Sequence, residues 1–279
     1  MTKTLLSIGE CMVELAAVGD GLFRQGFAGD TFNTAWYARR ALGDGWRVQY
    51  FTAVGDDPVS NRMLDFMAEG GIDTSPIARR RTRAPGLYMI DLKDGERSFT
   101  YWRDASAAKT LADDVEPLRR AIAAADAIYF SGITLAILAP GARARLLQEL
   151  ATARASGKLV AFDSNIRLRL WPDVADLRAS IRAASAVTTL GLPTVPDEAA
   201  VFGENDAAAV ARRYRAAGVE ELVVQAGRDD VACARLGAED ASRDMTALPQ
   251  PFRRRSCGGR DRVRVVRLVE RGDRADRRV

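Results

Sequence analysis

The chain has 279 residues and a net charge of +4, and its content of 47 % hydrophobic and 28 % charged residues is ordinary for a globular protein with a large core. It contains no histidine, which excludes His-dependent catalytic triads and most zinc hydrolase schemes, and its three cysteines are too widely spaced to suggest disulfides or a zinc site. Because no apolar run is long enough to cross a membrane and the N-terminus does not resemble a signal peptide, we expect a cytoplasmic protein without a membrane partner.

The N-terminal segment predicts strands that lead into a helix. Residues 4–9 form a predicted buried strand, residues 12–17 continue it or pair with it, and the irregular residues 18–27 suit a flap strand. A helical pattern then follows Gly29 and stops at Gly43.

Three residues at the predicted start of this helix have chemistry suited to a ligand. Gly29 would let the backbone approach another group closely, and Asn33 offers a donor and an acceptor. Asp30 either caps the helix or holds hydroxyl groups, and the local pattern alone favours the cap.

The next segments predict a βα unit followed by a β-hairpin. Residues 47–54 read as a strand, and residues 58–69 read as a helix that opens with a proline and stops at a Gly pair. Residues 87–92 and 97–102 flank a polar turn and predict a hairpin, which in an α/β chain suggests a small β appendage. Its aromatic residues either pack within the hairpin or face a ligand.

The second half of the chain continues the alternation of strands and helices. Residues 127–134 predict a strand that ends in a polar Gly turn, residues 140–156 a helix, and residues 159–163 a strand. Ligands of open α/β sheets bind beyond the carboxyl ends of the strands, so Asn165 and Arg167 are candidate binding residues. The alternative is an Asx turn followed by a surface arginine.

Three further strands and an acidic helix start complete the prediction. The strands are expected at residues 186–190, 221–226 and 230–236. The acidic residues Asp197 and Glu198 would favour the dipole of a helix that begins near them.

Two of these segments resemble one protein family. Residues 27–43 resemble the N-terminal signature of the PfkB (ribokinase-like) carbohydrate kinases, in the Gly-Asp-Thr-x-Asn form of the 2-keto-3-deoxygluconate kinases. Residues 163–167, with a Leu-Trp element at 170–171, resemble the Asp-x-Asn-x-Arg segment of that group. The resemblance covers about residues 4–251. It implies a three-layer α/β sandwich with a mainly parallel sheet, in one kinase domain of residues 1–251 whose small β lid comes from about residues 12–29 and 86–104.

The resemblance also implies a function and a site. The function is ATP-dependent phosphorylation of the sugar acid 2-keto-3-deoxygluconate, with Mg²⁺ bridging the ATP phosphates. We expect the substrate to contact eight residues: Gly29, Asp30, Asn33, Tyr88, Tyr101, Arg103, Asn165 and Arg167. The first three would hold sugar hydroxyls, the two tyrosines and Arg103 would close over the sugar, and Arg167 would pair with its carboxylate.

The nucleotide side of the implied site departs from the family pattern. Glu198 would help to hold Mg²⁺ and phosphate through water, but Val195 replaces the usual Asn three residues earlier. Gly227 would begin the ATP site, although Gln225 replaces the usual Lys. Lid strands in this family often pair between subunits, so a homo-oligomer through the lid is also implied.

The resemblance stops before the second family signature, Asp-Thr-x-Gly/Ala-Ala-Gly-Asp. That signature supplies backbone N–H groups for the phosphates and the general base for the accepting hydroxyl. This chain has residues 252–261 in its place, and Asp261 is a weak candidate for the base because its flanking residues do not form an anion hole. The catalytic residue is therefore unassigned and we expect impaired activity. The alternatives are an inactive sugar-binding or unstable truncated protein, and a kinase for a neutral ketose such as fructose.

The end of the chain differs in composition from the rest. Residues 252–279 contain 11 Arg, no Lys and 4 acidic residues, which gives this segment a net charge of +7. Because the whole chain has a net charge of +4, the other residues together carry −3. An Arg-rich sequence without Lys is typical of GC-rich DNA that is translated out of frame. With one choice of codons for the segment that starts at Arg253, a shift of the reading frame by one base gives Val-Val-Asp-Pro-Ala-Ala-Gly. We interpret this segment as an irregular frameshift product. A basic surface for nucleic acid or another polyanion is the alternative, but without aromatic residues beyond Phe252 no specific nucleic-acid partner is expected.

Overall fold

A computed structural model describes residues 2–93, 96–226, 231–235 and 246–247. The described residues divide into two compact units, one that ends at Ala125 and one that begins at Asp126. Gly227, Asp261 and the Arg-rich residues 252–279 lie outside the described residues. None of the helices in the described ranges is long and apolar enough to span a membrane.

The first unit combines two parallel strand pairs with helices and a separate small sheet of four strands. Its elements, in chain order, are β1 (Lys3–Ile8), β2 (Met12–Gly19), β3 (Leu22–Ala28), α1 (Asp30–Ala41), β4 (Trp46–Phe51), β5 (Ala53–Gly55), α2 (Pro58–Glu69), β6 (Ala78–Arg80), β7 (Leu87–Lys93), β8 (Glu96–Trp102), a 3-10 helix (Ala107–Thr110) and α3 (Val115–Ala124). Strand β1 pairs with β4 in parallel. Leu5, Leu6 and Ile8 on β1 are all buried, as expected for a strand that is covered on both faces.

The small sheet has the strand order β3-β2-β7-β8. Its outer pairs are antiparallel, whereas β2 and β7 run parallel, which the long connection between them permits. The two segments predicted to form a lid therefore make one four-stranded sheet. Its register places Glu14 opposite Tyr88 and Tyr88 opposite Tyr101, so these three side chains lie in one row across the sheet.

One open alternative and one local prediction for the first unit are wrong. Gly29, not Asp30, is the N-cap residue of α1, and its backbone is extended. The single strand predicted at residues 47–54 is two strands, because the chain changes partners at Thr52: β4 pairs with β1, and β5 pairs with β6.

The second unit is an α/β structure with a mainly parallel sheet. Its elements are β9 (Ala127–Ser131), α4 (Gly132–Ile137), α5 (Pro140–Ala155), β10 (Leu159–Asp163), a 3-10 helix (Leu168–Leu170), α6 (Val174–Ala186), β11 (Leu190–Gly191), α7 (Val195–Phe202), α8 (Ala207–Ala216), β12 (Glu221–Gln225), β13 (Val231–Arg235) and β14 (Thr246–Ala247). Within this unit the order is β14-β13-β12-β11-β10-β9. The pairs from β9 to β12 are parallel, and the last two pairs are antiparallel.

Two predictions for the second unit are also wrong. The strand predicted at residues 127–134 ends at Ser131, whose hydroxyl accepts a hydrogen bond from the Thr134 N–H at 3.3 Å and caps α4. The strand predicted at residues 186–190 is reduced to Leu190–Gly191. Helix α6 continues to Ala186, the hydroxyls of Ser185 and Thr188 donate to backbone carbonyls four residues earlier at 2.8 Å each, and the strand begins only at Leu190.

Candidate functional site

The N-terminal end of α1 lies directly against the end of β1. A Cβ atom added to Gly29 would lie 2.1 Å from the Glu10 carbonyl oxygen, so a side chain cannot fit at this position. Asp30 is the first residue of the helix and Asn33 lies in its first turn, where the Asn33 N–H donates to the Gly29 carbonyl at 2.8 Å. Both side chains are half-buried. A carboxylate and an amide are thus placed at a helix N-terminus, where polar ligands find unsatisfied N–H groups.

The small sheet groups the three residues predicted to cover the sugar. The rings of Tyr88 and Tyr101 have centroids 5.7 Å apart, and the Arg103 guanidinium lies 6.0 Å from the Tyr101 centroid. The Tyr88 hydroxyl donates to the Glu14 carboxylate. Burial and this hydrogen bond raise the pKa of Tyr88 far above its usual value, so the phenol remains a neutral donor.

Glu10 connects these two groups within the first unit. Its backbone carbonyl contacts Gly29, and its carboxylate forms an ion pair with Arg103. The Glu10 side chain is 1 % exposed and that of Arg103 is 11 % exposed. Burial raises the pKa of Glu10, and the neighbouring Arg103 charge opposes that shift.

In the second unit, the segment after β10 forms a tight polar turn. The Asn165 N–H donates to Asp163 Oδ1 at 3.1 Å, and Asn165 has a positive φ of 28°. The Tyr129 hydroxyl donates to the other Asp163 oxygen at 3.1 Å. The Asx turn that the sequence suggested is therefore present, and it directs the chain into Arg167.

Arg167 lies at the edge of an open cavity of about 320 Å³. Its side chain is 45 % exposed, and Nη1 donates to the Ile166 carbonyl at 2.7 Å and lies 3.7 Å from Asp197 Oδ2. The same Asp197 oxygen accepts the Ile166 N–H at 3.1 Å. The cavity is lined by Ile166, Arg167, Leu168, Arg169, Asp197 and Ala200. Two arginines and one carboxylate line the cavity, a composition that suits a small anionic group.

Glu198 is enclosed by groups of its own unit. Its side chain has 0 % exposure and accepts hydrogen bonds from Arg213 and, at 2.9 Å, from the Tyr214 hydroxyl. Arg213 also donates to Glu204 at 2.8 Å. Burial raises the pKa of Glu198, whereas Arg213 opposes the shift.

This arrangement does not suit direct coordination of a magnesium ion. Mg²⁺ requires several oxygen ligands in near-octahedral geometry, usually including waters, and both Glu198 oxygens already accept hydrogen bonds. No group of three or more Cys, Asp and Glu side chains that could hold a metal occurs among the described residues. The geometry therefore gives no support to direct coordination of Mg²⁺ by Glu198, and the predicted contact through water stays a prediction.

Sequence reasoning missed the partners of the predicted residues. It did not single out Glu14 or Arg213, and it gave Asp197 only a role in the helix dipole. A usable signal existed for Glu14, since it is an acidic residue within an apolar strand pattern. No comparable signal distinguishes Arg213 from Arg212 and Arg215, its neighbours on the same helix.

Comparison with known proteins gives a consistent result over most of the chain. The sequence matches the pfkB family of carbohydrate kinases over residues 2–251. It is 41 % identical over 232 residues to the 2-dehydro-3-deoxygluconokinase of Dickeya dadantii, covering 82 % of this chain and 74 % of that protein. It is 40 % identical over 233 residues to the protein of the same name from Escherichia coli K12, with 82 % and 75 % covered.

The solved structures agree with the α/β fold predicted from the sequence. The PfkB protein from Polaromonas sp. JS666 superposes with a TM-score of 0.74 at 26 % identity, covering 84 % of this chain and 79 % of the other. Fructokinase with bound ATP from Xylella fastidiosa gives a TM-score of 0.74 at 24 % identity, covering 85 % and 73 %, a likeness of fold. The family match over residues 2–251 includes the described elements of both units. This chain belongs to the pfkB family of carbohydrate kinases.

Proposed function

We propose that this chain binds 2-dehydro-3-deoxygluconate, also called 2-keto-3-deoxygluconate, as an ATP-dependent kinase whose phosphoryl transfer is impaired. The substrate is inferred from relatives named 2-dehydro-3-deoxygluconokinase, with which this chain shares about two residues in five across 82 % of its length. ATP is the phosphoryl donor that the kinase family implies. We place the protein in the cytoplasm.

Residues of the first unit are proposed to hold the neutral part of the sugar. Asp30 would accept hydrogen bonds from hydroxyl groups, Asn33 would accept and donate them, and Gly29 would contribute through its backbone. Tyr88, Tyr101 and Arg103 would cover the ring or chain. The support for this grouping is that Glu10 contacts both Gly29 and Arg103.

Arg167 is proposed to recognise the carboxylate, assisted by Asn165. A guanidinium can donate two parallel hydrogen bonds to a carboxylate, which a neutral sugar does not require. The support is the exposure of Arg167 at the edge of a cavity at the carboxyl end of β10, where ligands of α/β sheets bind.

The impairment is proposed from the sequence of residues 252–261. The family signature that provides the anion hole and the base is absent there, and Asp261 is only a weak candidate for the base. Gly227 remains a proposed nucleotide contact. Mg²⁺ would still accompany ATP, and the water-mediated contact of Glu198 with it stays part of the proposal.

A kinase for a neutral ketose is the second candidate. The fructokinase of Klebsiella pneumoniae is 28 % identical over 208 residues. A carboxylate-binding Arg167 would have no function with fructose, so this residue distinguishes the two substrates.

Ligand-dependent melting and calorimetry of the 279-residue protein test the substrate. We expect 2-dehydro-3-deoxygluconate to raise the melting temperature, fructose to have little effect, and Arg167→Ala to weaken binding of the sugar acid about tenfold or more. The exposed arginine variant Arg120→Ala is the matched control and should bind like the wild type. Turnover with ATP and Mg²⁺ is expected to be low.

Other outcomes would change the conclusion. A larger melting shift with fructose would favour the second candidate. No shift with the sugar acid would exclude the proposed substrate, and rapid turnover would exclude the proposed impairment.

The small sheet is further proposed to contact a second copy of this chain. Apolar side chains are exposed there to an unusual extent: Val18, Leu22, Phe23, Phe99 and Trp102. Clusters of exposed apolar residues are typical of interaction surfaces.

A further inference from the structure

Glu10 forms a buried ion pair that local folding does not require. It follows β1, and its carboxylate reaches Arg103, 93 residues later in the sequence, just beyond β8. The carboxylate is closely surrounded: a Cβ atom added to Gly86 would lie 2.8 Å from Glu10 Oε1 and 3.1 Å from the Arg103 Cβ atom. This enclosure leaves the pair little freedom to change its geometry.

A buried ion pair is weak evidence for stability. Removing two charges from water is costly, and well-packed apolar residues often serve the fold equally well. The contact joins Arg103 Nη2 to Glu10 Oε2, and this charge-assisted hydrogen bond restricts the orientation of the guanidinium and so the direction of its remaining N–H donors. The backbone of the same residue also holds the start of α1 through its contact with Gly29.

We propose that Glu10 is a positioning residue for sugar binding, which orients Arg103 of the small sheet relative to the N-terminal end of α1. The inference rests on the proposed function, since it requires that Arg103 contacts the sugar. Glu10 itself does not contact the substrate, because its side chain is 1 % exposed. It acts through Arg103 by fixing which donors face the ligand.

The test is a double-mutant cycle read out by calorimetric binding of 2-dehydro-3-deoxygluconate and, separately, of ATP. We expect Glu10→Gln to raise the dissociation constant for the sugar acid about tenfold or more, because a displaced guanidinium loses directed hydrogen bonds. In an Arg103→Met background, Glu10→Gln should change that constant by less than about twofold. The dissociation constant for ATP should remain that of the wild type.

Two further variants separate positioning from loss of folding. Gly86→Ala keeps both charges but displaces the Glu10–Arg103 ion pair. It should therefore raise the dissociation constant for the sugar acid, as Glu10→Gln does. Asp176→Asn breaks another ion pair, formed with Arg143 at 2.8 Å, and should leave sugar binding unchanged even if it lowers the melting temperature.

The outcomes are distinguishable. If the wild type does not bind the sugar acid, the proposed function fails and this inference fails with it. If the wild type binds but Glu10→Gln and Gly86→Ala bind equally well, or if Glu10→Gln has its full effect without Arg103, only the positioning role is excluded. Equal weakening of sugar and ATP binding would indicate a general structural role and would also exclude it.

Discussion

Gly29 illustrates how a single residue connects the fold and the candidate site. Its φ of −177° is available to any residue, so the requirement for glycine comes from space and not from backbone conformation. The Glu10 carbonyl lies where a side chain would begin. Gly29→Ala must therefore move either the end of β1 or the start of α1.

We expect Gly29→Ala to lower the free energy of unfolding by about 1–3 kcal/mol, the usual range for an overpacked site, and to weaken binding of the sugar acid. Urea unfolding and calorimetry provide the two measurements. Gly45→Ala is the matched control, because a Cβ atom there meets no other atom within 4 Å. Equal stability of the two variants would contradict the close contact.

At the scale of the residue, sequence reasoning predicted several site residues but not their partners. It predicted that Gly29 allows a close approach, which the structure confirms, but it left open whether Asp30 caps the helix, whereas the N-cap residue is Gly29. Gly and Asp both occur at N-caps, and the choice between them depends here on the Glu10 carbonyl, which lies outside the local pattern. For the same reason the pairing of Glu10 with Arg103, across 93 residues, could not be derived from spacing.

Among the secondary-structure elements, α2 begins with a well-defined cap. Asp57 Oδ1 accepts the N–H groups of Val59 and Ser60 at 2.9 Å each, and the Ser60 hydroxyl donates to Oδ2 at 2.6 Å. Burial alone would raise the pKa of Asp57, but these hydrogen bonds outweigh it and lower the pKa below its usual 3.8.

The lowered pKa makes the contribution of this cap depend on pH. Because the pKa of Asp57 is lower in the folded protein than in the unfolded chain, the ionised cap stabilises the fold fully at pH values above the unfolded-state pKa. This stabilisation is lost as the pH falls through the folded-state pKa, which lies below 3.8. At pH 7 we expect Asp57→Ala to lower the free energy of unfolding by about 1 kcal/mol. Urea unfolding at a series of pH values should show this difference shrinking at the acidic end.

Asp104→Ala, which removes an exposed carboxylate outside any helix or strand, is the control for loss of charge and should show no such pH-dependent difference. A difference for Asp57→Ala that is constant down to the lowest pH at which the protein folds would contradict the role of the ionised cap.

Elements with strong local signals were predicted well, and elements that depend on tertiary partners were not. Helix α2 and strand β10 have the predicted boundaries, since a capped Pro start or a short apolar run between turns defines each of them. Strand β11 was misplaced because helix α6 runs to Ala186, inside the predicted range, and the strand begins only at Leu190. The break between β4 and β5 arises only from a change of pairing partner at Thr52.

At the scale of the whole molecule, the small sheet shows what the family resemblance predicts beyond the local sequence patterns. The hairpin β7–β8 follows from its turn and aromatic pattern, but its parallel pairing with β2 joins segments more than 60 residues apart, as in Val13↔Leu87. The periodicity within each strand does not say which distant segment it pairs with, because the pairing closes a long loop whose sequence does not specify it. The lid segments were predicted from the family and form one sheet in the structure.

The exposed apolar residues of this sheet lead to a prediction for the assembly. Leu22 is 65 % exposed, Phe23 41 % and Trp102 55 %, which is costly for a surface that faces only water. We expect the 30.4 kDa chain to sediment as a dimer, and the triple variant Leu22→Ser, Phe23→Ser and Trp102→Ser to sediment as a monomer. Analytical ultracentrifugation over a range of concentrations measures both. The control is the double variant Tyr37→Ser and Val174→Ser, which removes exposed apolar residues outside the sheet and should remain dimeric. A monomeric wild type, or dissociation of the control variant, would contradict association through this surface.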